Sequence, residues 1–261
     1  MKVLIAAGGT GGHVNPALAV AGEIRKQYPD AEICFVGTAD RIEAKIVPAA
    51  GFPLRTIEIS GFKRGFTPAD IKANVKTVTR LLRSSGAVKK ILNDFKPDVA
   101  VGFGGYVSGP VIRMAAKMGI PTAIHEQNAY AGVTTKMLAP QVDRVLLSFP
   151  LARPIKCDEN KCTVVGNPVK DEFFQITKEE ARKQLGISDD EVYVLSYGGS
   201  LGARKVNDTF IEMARLSAKE NAMTLCHGAA RDYNYVCDAL SDVLSSNPKI
   251  QVMEYIYDMP L

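Results

Sequence analysis

The sequence predicts an α/β fold with two doubly wound parallel sheets, the second of them incomplete. Three observations carry this. Short β-rich runs alternate with helix-like segments along the chain. Several runs are near-continuously apolar, as parallel strands covered by helices on both faces require. Three of the predicted strands run into glycine-rich turns that open helical patterns.

The first set of strands is predicted at Val3–Ala7, Glu32–Val36, Leu54–Ile59, Val99–Phe103, Thr122–His125, Arg144–Ser148 and Thr163–Val165. Between the first two, Leu18, Val20, Ala21 and Ile24 keep helical spacing, so a helix is expected from Pro16 to Tyr28. Pro16 suits a first-turn position. Residues Thr67 to Phe95 read as one or two helices through Ile71, Val75, Val78, Leu82, Val88, Ile91 and Phe95. Gly166-Asn167-Pro168-Val169 marks a domain boundary, because Pro168 cannot continue a strand ladder and Gly166 permits a turn. That gives domains at 1–166 and 167–261. In the second, Thr177-Lys178-Glu179-Glu180 is a capping-box helix start. Strands follow at Val192–Tyr197, Met223–His227 and Ile250–Tyr255, and helices at Val206–Ala218 and Asn234–Leu244. A doubly wound sheet commonly has about five or six strands. The chain is therefore expected to stop within its second domain, at Asp258-Met259-Pro260-Leu261.

Composition narrows the class. A chain of 261 residues with 46% hydrophobic and 23% charged residues reads as globular, with one large or two ordinary domains. No apolar run reaches the ~18 residues of a spanning helix. The apolar start, Met1 to Ala7, is too short for a signal peptide, so a cytoplasmic location is expected. Five cysteines without a C-x-x-C pair argue against a disulfide framework or structural zinc. The net charge of +4 is uneven: 22 Lys+Arg against 13 Asp+Glu up to Gly166, then 10 against 15. The first half is expected to face something anionic, unless the imbalance is ordinary surface variation.

The glycine turns hold the candidate binding groups. Loop one is Gly8-Gly9-Thr10-Gly11-Gly12-His13 and loop two is Gly102-Phe103-Gly104-Gly105-Tyr106-Val107-Ser108-Gly109. Loop three is Gly198-Gly199-Ser200-Leu201-Gly202-Ala203-Arg204. Backbone N–H groups at a helix start attract anions, and glycine lets a ligand approach. Loop one fails the dinucleotide fingerprint, since Val14 stands where a third glycine belongs, and no Gly-Lys-Ser/Thr P-loop occurs. Each loop taken singly is also compatible with a plain tight turn. Ser200 would cap its helix or bind a phosphate oxygen.

His13, at a helix start, is expected to stay neutral and to serve as a base or hydrogen-bond donor, or else to cap or pack. Glu126 and Asn128 follow a strand end, where ligands of open α/β sheets bind. Glu126 is a second candidate base, or a holder of a sugar hydroxyl, or a solvated loop acid. His227 reads as core or rim. No histidine pair has metal-ligand spacing and no Asp-x-Asp occurs, so neither metal nor cofactor is expected. Lys63, Arg64, Lys72, Lys76, Arg80, Arg83, Lys89, Lys90 and Lys96 crowd the amphipathic stretch, against Asp70 and Asp94. Such a segment either attaches to an anionic membrane surface or is an ordinary helix with its apolar stripe buried. No nucleic-acid motif accompanies the charge, so nucleic acid is not an expected partner.

Loop one, loop two, His125-Glu126-Gln127-Asn128, Gly166-Asn167-Pro168-Val169 and loop three occur in one order. In that order they resemble the UDP-N-acetylglucosamine–N-acetylmuramyl-(pentapeptide) pyrophosphoryl-undecaprenol N-acetylglucosaminyltransferases, the MurG family. The resemblance runs over essentially the whole chain. It implies two Rossmann-like domains in the GT-B arrangement. It also implies inverting transfer of N-acetylglucosamine from UDP-GlcNAc to an undecaprenyl-diphosphate-linked muramyl-pentapeptide, for cell-wall peptidoglycan, at the cytoplasmic face of the bacterial membrane. By resemblance, Thr10, Gly11, Gly12 and Asn128 contact the donor, Gly199 and Ser200 meet its diphosphate, and Ile256 lies beside the uracil. Gly104, Gly105, Tyr106 and Ser108 would receive the acceptor diphosphate. Lys170 stands where the family commonly has arginine, and cannot make the same bidentate phosphate contact. The family continues beyond Leu261.

The reaction expected is a single displacement with His13 as first candidate base and Glu126 as second. Two rival readings remain open: a UDP-sugar epimerase of similar build, and a non-catalytic fragment that binds membrane and lipid-linked diphosphate.

Overall fold

The structure, a computed structural model, describes residues 1–59, 84–199, 202–220, 223–256 and 259. The chain divides into two compact units, Met1–Lys170 and Asp171–Leu261.

In the first unit the strands are β1 (Lys2–Ala6), β2 (Glu32–Gly37), β3 (Leu54–Thr56), β4 (Val99–Gly102), β5 (Thr122–Glu126), β6 (Arg144–Leu147) and β7 (Cys162–Val164). They form one parallel sheet in the order β3-β2-β1-β4-β5-β6-β7. The helices are α1 (Gly11–Gln27), α2 (Glu43–Ala49), α3 (described over 84–95), α4 (Gly105–Lys117) and α5 (Val133–Leu138). The period of two along β1 sends alternate residues to opposite faces. Leu4 and Ala6 join Val88 and Leu92 of α3 and Val111 and Ile112 of α4. Val3 and Ile5 join Val14, Ala17 and Leu18 of α1. Both faces are thus covered, which is why β1 reads as a continuous apolar run. The strand order reverses between β1 and β4, and the crevice outside the carboxyl ends at such a switch point is where ligands of these sheets bind.

The second unit contains α6 (Lys178–Leu185), β8 (Val192–Tyr197), α7 (Arg204–Glu220), β9 (Met223–Gly228), α8 (Tyr233–Ala239), α9 (Ser241–Ser246) and β10 (Ile250–Met253). Its sheet has three parallel strands in the order β10-β9-β8. Phe210, Ala214, Leu225, Val236 and Leu240 form its core. The capping box at the start of α6 is complete: Thr177 Oγ1 accepts from Glu180 N at 3.2 Å, and Glu180 Oε2 accepts from Thr177 N at 2.9 Å.

Two expectations change. The first helix begins at Gly11 rather than near Pro16, which lies inside it. The residue four before Pro16, whose carbonyl the proline ring would crowd, is Gly12, and the first turn closes on Thr10 O from His13 N (3.1 Å) and Val14 N (3.2 Å). The predicted helix Asn234–Leu244 is two helices that meet at Leu240, where φ of −115° leaves the helical range. Of the basic amphipathic stretch, residues 60–83 lie outside the described residues. In the remainder, Val88, Leu92 and Phe95 are buried in the core while Lys89, Lys90 and Lys96 are exposed.

Candidate active site

Loop one joins β1 to α1 and loop two joins β4 to α4, so both lie at the switch point. They touch through backbone. Gly104 (φ +96°) and Gly105 (φ +72°) hold left-handed conformations. A Cβ on Gly105 would lie 2.3 Å from Gly8 O, and one on Gly104 would lie 2.7 Å from His13 Cδ2. Only glycine allows this approach. Tyr106 stands beside Gly9, whose own Cβ position is 3.7 Å from the phenol ring.

His13 is half-buried in the first turn of α1. Its Nδ1 lies 3.2 Å from Gly8 O and 3.2 Å from Thr10 Oγ1. A carbonyl only accepts, so Nδ1 carries the proton and Nε2 presents a lone pair. Burial lowers the imidazole from its ordinary value, while the Gly8 carbonyl and the charges of Glu126 and Glu43 pull it partly back. The ring is neutral at neutral pH. Beside it, the N–H groups of Gly11 and Gly12 belong to the first helical turn, which has no intrahelical acceptor for them.

At the end of β5, Glu126 is 3% exposed and fully engaged. Oε1 accepts from Asn128 N (3.0 Å) and Asn128 Nδ2 (3.0 Å), and Oε2 from Gly132 N (2.8 Å) and Thr135 Oγ1 (2.5 Å). Burial alone would raise this carboxyl, but the four hydrogen bonds outweigh it and hold it below its usual range. The expectation of a solvated or proton-accepting loop acid does not fit. Glu126 clamps the β5–α5 turn and presents the exposed Asn128. Next to it, His125 Nε2 donates to Gly166 O (3.1 Å) and Gln127 Nε2 donates to His125 Nδ1 (3.1 Å). Burial lowers His125 as well.

Ser108 departs from its expected ligand role. It is 1% exposed, its Oγ accepts from Gly104 N (3.1 Å), and it lies 2.7 Å from the carbonyls of both Ala6 and Gly104. The hydroxyl ties α4 to the ends of β1 and β4, leaving Gly104, Gly105 and Tyr106 at the surface of loop two.

In the second unit Gly199 has φ +77°, and Ser200 lies outside the described residues. A Cβ on Gly198 would lie 2.3 Å from Ala203 N, so loop three presses on the start of α7. His227 is core, as its sequence position suggested: it is fully buried and stacks on Phe210 at 4.3 Å. Asn207 Nδ2 donates to Asp232 Oδ2 (2.9 Å), so Asn207 Oδ1 accepts from His227 Nε2 (3.0 Å). Ile256 packs on Gly228, whose Cβ position is 3.0 Å from Ile256 Cδ1. Lys170 is exposed at the end of the first unit.

Sequence reasoning missed Glu43, Thr135 and Asn207. Each has a partner on another element, Gly9, Glu126 and His227 respectively, and belongs to no local pattern. Among the described residues, no group of three or more His, Cys, Asp or Glu could hold a metal ion, and no helix is long and apolar enough to cross a membrane.

Two parallel α/β units, the first with paired glycine loops at its switch point, define a GT-B-like protein. The chain belongs to glycosyltransferase family 28, whose N-terminal domain matches residues 3–147, and within it is a MurG homologue. It is 40% identical over 260 residues to the UDP-N-acetylglucosamine–N-acetylmuramyl-(pentapeptide) pyrophosphoryl-undecaprenol N-acetylglucosamine transferase of Acetivibrio thermocellus, covering 99% of this chain and 69% of the relative. It is 44% identical over 261 residues to the transferase of the same name from Clostridioides difficile, covering 99% of this chain and 63% of that protein. The chain thus spans about two thirds of its relatives' length. The crystal structure of Acinetobacter baumannii MurG matches with a TM-score of 0.64 at 27% identity, over 99% of this chain and 69% of that one. A UDP-GlcNAc 2-epimerase from Neisseria meningitidis shares the fold, with a TM-score of 0.62 at 17% identity over 100% of this chain and 73% of that one.

Proposed function

We propose that this chain carries the acceptor site and part of the donor site of an inverting N-acetylglucosaminyltransferase. The donor is UDP-GlcNAc and the acceptor is the C4 hydroxyl of an undecaprenyl-diphosphate-linked muramyl-pentapeptide, in peptidoglycan synthesis. The observation that carries the reading is His13, held neutral at the meeting point of two glycine loops, with no hydrogen bond to Nε2 among the described residues.

The acceptor oxygen attacks the anomeric carbon from the face opposite UDP. His13 Nε2 takes the hydroxyl proton, and the electron pair of the breaking C–O bond leaves on the diphosphate. Glu126 does not take the proton in this scheme; it sets Asn128 toward the donor, along with Thr10, Gly11 and Gly12. Gly199, Ser200, Lys170 and Ile256 are further proposed donor contacts. N–H groups at the helix start of loop three stabilise the departing diphosphate. Gly104, Gly105 and Tyr106 receive the acceptor diphosphate. Exposed Lys89, Lys90 and Lys96 supply a basic face for peripheral attachment to the anionic cytoplasmic side of the bacterial membrane.

A second reading is a binding module that holds lipid-linked diphosphate without turnover, on the half-buried Gly104, Gly105 and Tyr106 packed beside loop one. Transfer assays separate the two. The chain is compared with a version completed by the remaining third of the Acetivibrio thermocellus relative. Transfer by the chain itself supports the enzyme. Transfer by the completed form alone supports the acceptor-binding fragment. A folded completed form that transfers nothing contradicts the enzyme reading.

A further inference from the structure

Glu43, the first residue of α2, is fully buried. Its Oε2 accepts from Gly9 N (3.1 Å), and its Oε1 accepts from Thr38 N (3.0 Å) and Thr38 Oγ1 (2.8 Å). Among the described residues its hydrogen-bond partners are these neutral donors, and a buried carboxylate held by such donors is expensive to keep. Two glycines make room for it. A Cβ on Gly8 would lie 2.6 Å from Glu43 Oε1, and one on Gly37 would lie 2.7 Å from Glu43 Cγ. The first glycine of loop one therefore serves a side chain from beneath, while its carbonyl serves His13 from above.

The Gly9 N–H and the Gly8 C=O belong to one planar trans peptide and point in opposite directions. Glu43 grips the N–H end at 3.1 Å, and His13 Nδ1 meets the C=O end at 3.2 Å. We infer that Glu43 is the positioning residue for His13: by holding the Gly9 N–H it turns the Gly8 carbonyl onto Nδ1 and leaves Nε2 as the basic nitrogen. The catalytic meaning of this lever rests on the transferase reading; its geometry does not. The charges facing the ring are Glu43 from α2 and Glu126 from the end of β5, and both favour a proton on the imidazole. Tyr106 of α4 stands beside Gly9.

Glu43→Gln sets an amide NH2 among three donors, so it cannot hold all of them. The Gly8–Gly9 peptide is then free to turn over, which brings an N–H toward Nδ1 and moves the proton to Nε2. Imidazole nitrogen shifts of the 15N-labelled full chain read this directly. The chain has three histidines, and His13→Gln identifies the signal. The wild type is expected to carry the proton on Nδ1 of His13. Glu43→Gln is expected to shift it toward Nε2 and to lower the titration midpoint of His13, with His125 and His227 unmoved. Gly8→Ala displaces Glu43 without removing its charge and is expected to shift the tautomer in the same way. Wild-type His13 protonated on Nε2 would overturn the inference without any variant, as would a Glu43→Gln protein with an unchanged tautomer. In the form that transfers sugar, Glu43→Gln should lower kcat about tenfold or more with a smaller change in the donor KM. If His13→Ala abolishes transfer while Glu43→Gln leaves the tautomer alone, only the positioning role falls. If His13→Ala leaves transfer intact, the transferase assignment of His13 falls and the tautomer result still decides what Glu43 does.

Discussion

The Nδ1 of His13 lies 3.2 Å from the carbonyl oxygen of Gly8, five residues earlier in the same strand–loop–helix turn. This one bond determines the tautomer and so which nitrogen can take a proton.

Loss of His13 should therefore be a chemical defect. His13→Ala is expected to lower kcat about 10²- to 10⁴-fold with little change in thermal stability, because the ring is only half-buried. The wild-type kcat/KM should rise with pH through the free-enzyme value of His13, which burial holds below 6.5, and be flat from there to neutrality. A profile that falls as pH rises through this range would contradict a base at His13.

Glu126 should behave in the opposite way. Glu126→Gln turns an NH2 toward donors that now face oxygen, at a cost of about 2–4 kcal/mol in urea unfolding. Abolished turnover at unchanged stability would instead make Glu126 the base.

Gly105→Ala tests the contact between the loops. It forces a side chain to φ +72° and puts a methyl group 2.3 Å from Gly8 O. A loss of at least about 2 kcal/mol is expected. A neutral substitution would mean that the loops do not touch.

Acid should destabilise the protein in two windows. Burial lowers His13, His125 and His227 alike. As pH falls below about 6.5, the unfolded chain takes up protons that the native one refuses, so stability drops. The Glu126 carboxyl, held below 4.5, adds stability that is full above that value and is lost as pH falls through its lower native value. Tm should fall from pH 8 to pH 5 and again below pH 4.5; a flat Tm between pH 8 and pH 5 would contradict the first window.

The central strands of the first sheet were readable because burial on both faces writes them as apolar runs, and the glycine loops because left-handed and close-packed backbone admits little else. The glycine loops, His13, and Glu126 with Asn128 could be named from their places after strands, whereas roles for Thr10, Gly11, Gly12, Gly104, Gly105 and Tyr106 came from the family resemblance. The partners of these residues could not be named. Glu43 gives no local signal that it reaches Gly9, and nothing around Ser108 announces that its hydroxyl is spent on Ala6 and Gly104. Pro16 misled because a proline tolerated over Gly12 looks the same in sequence as one that starts a helix.

The most direct test is transfer of labelled N-acetylglucosamine from UDP-GlcNAc to a short-chain lipid-linked muramyl-pentapeptide by the completed form, with and without His13→Ala. Transfer with inversion, lost in His13→Ala at unchanged fold, is the expected result. Undiminished transfer by His13→Ala, or none by the folded wild type, would contradict the proposed chemistry.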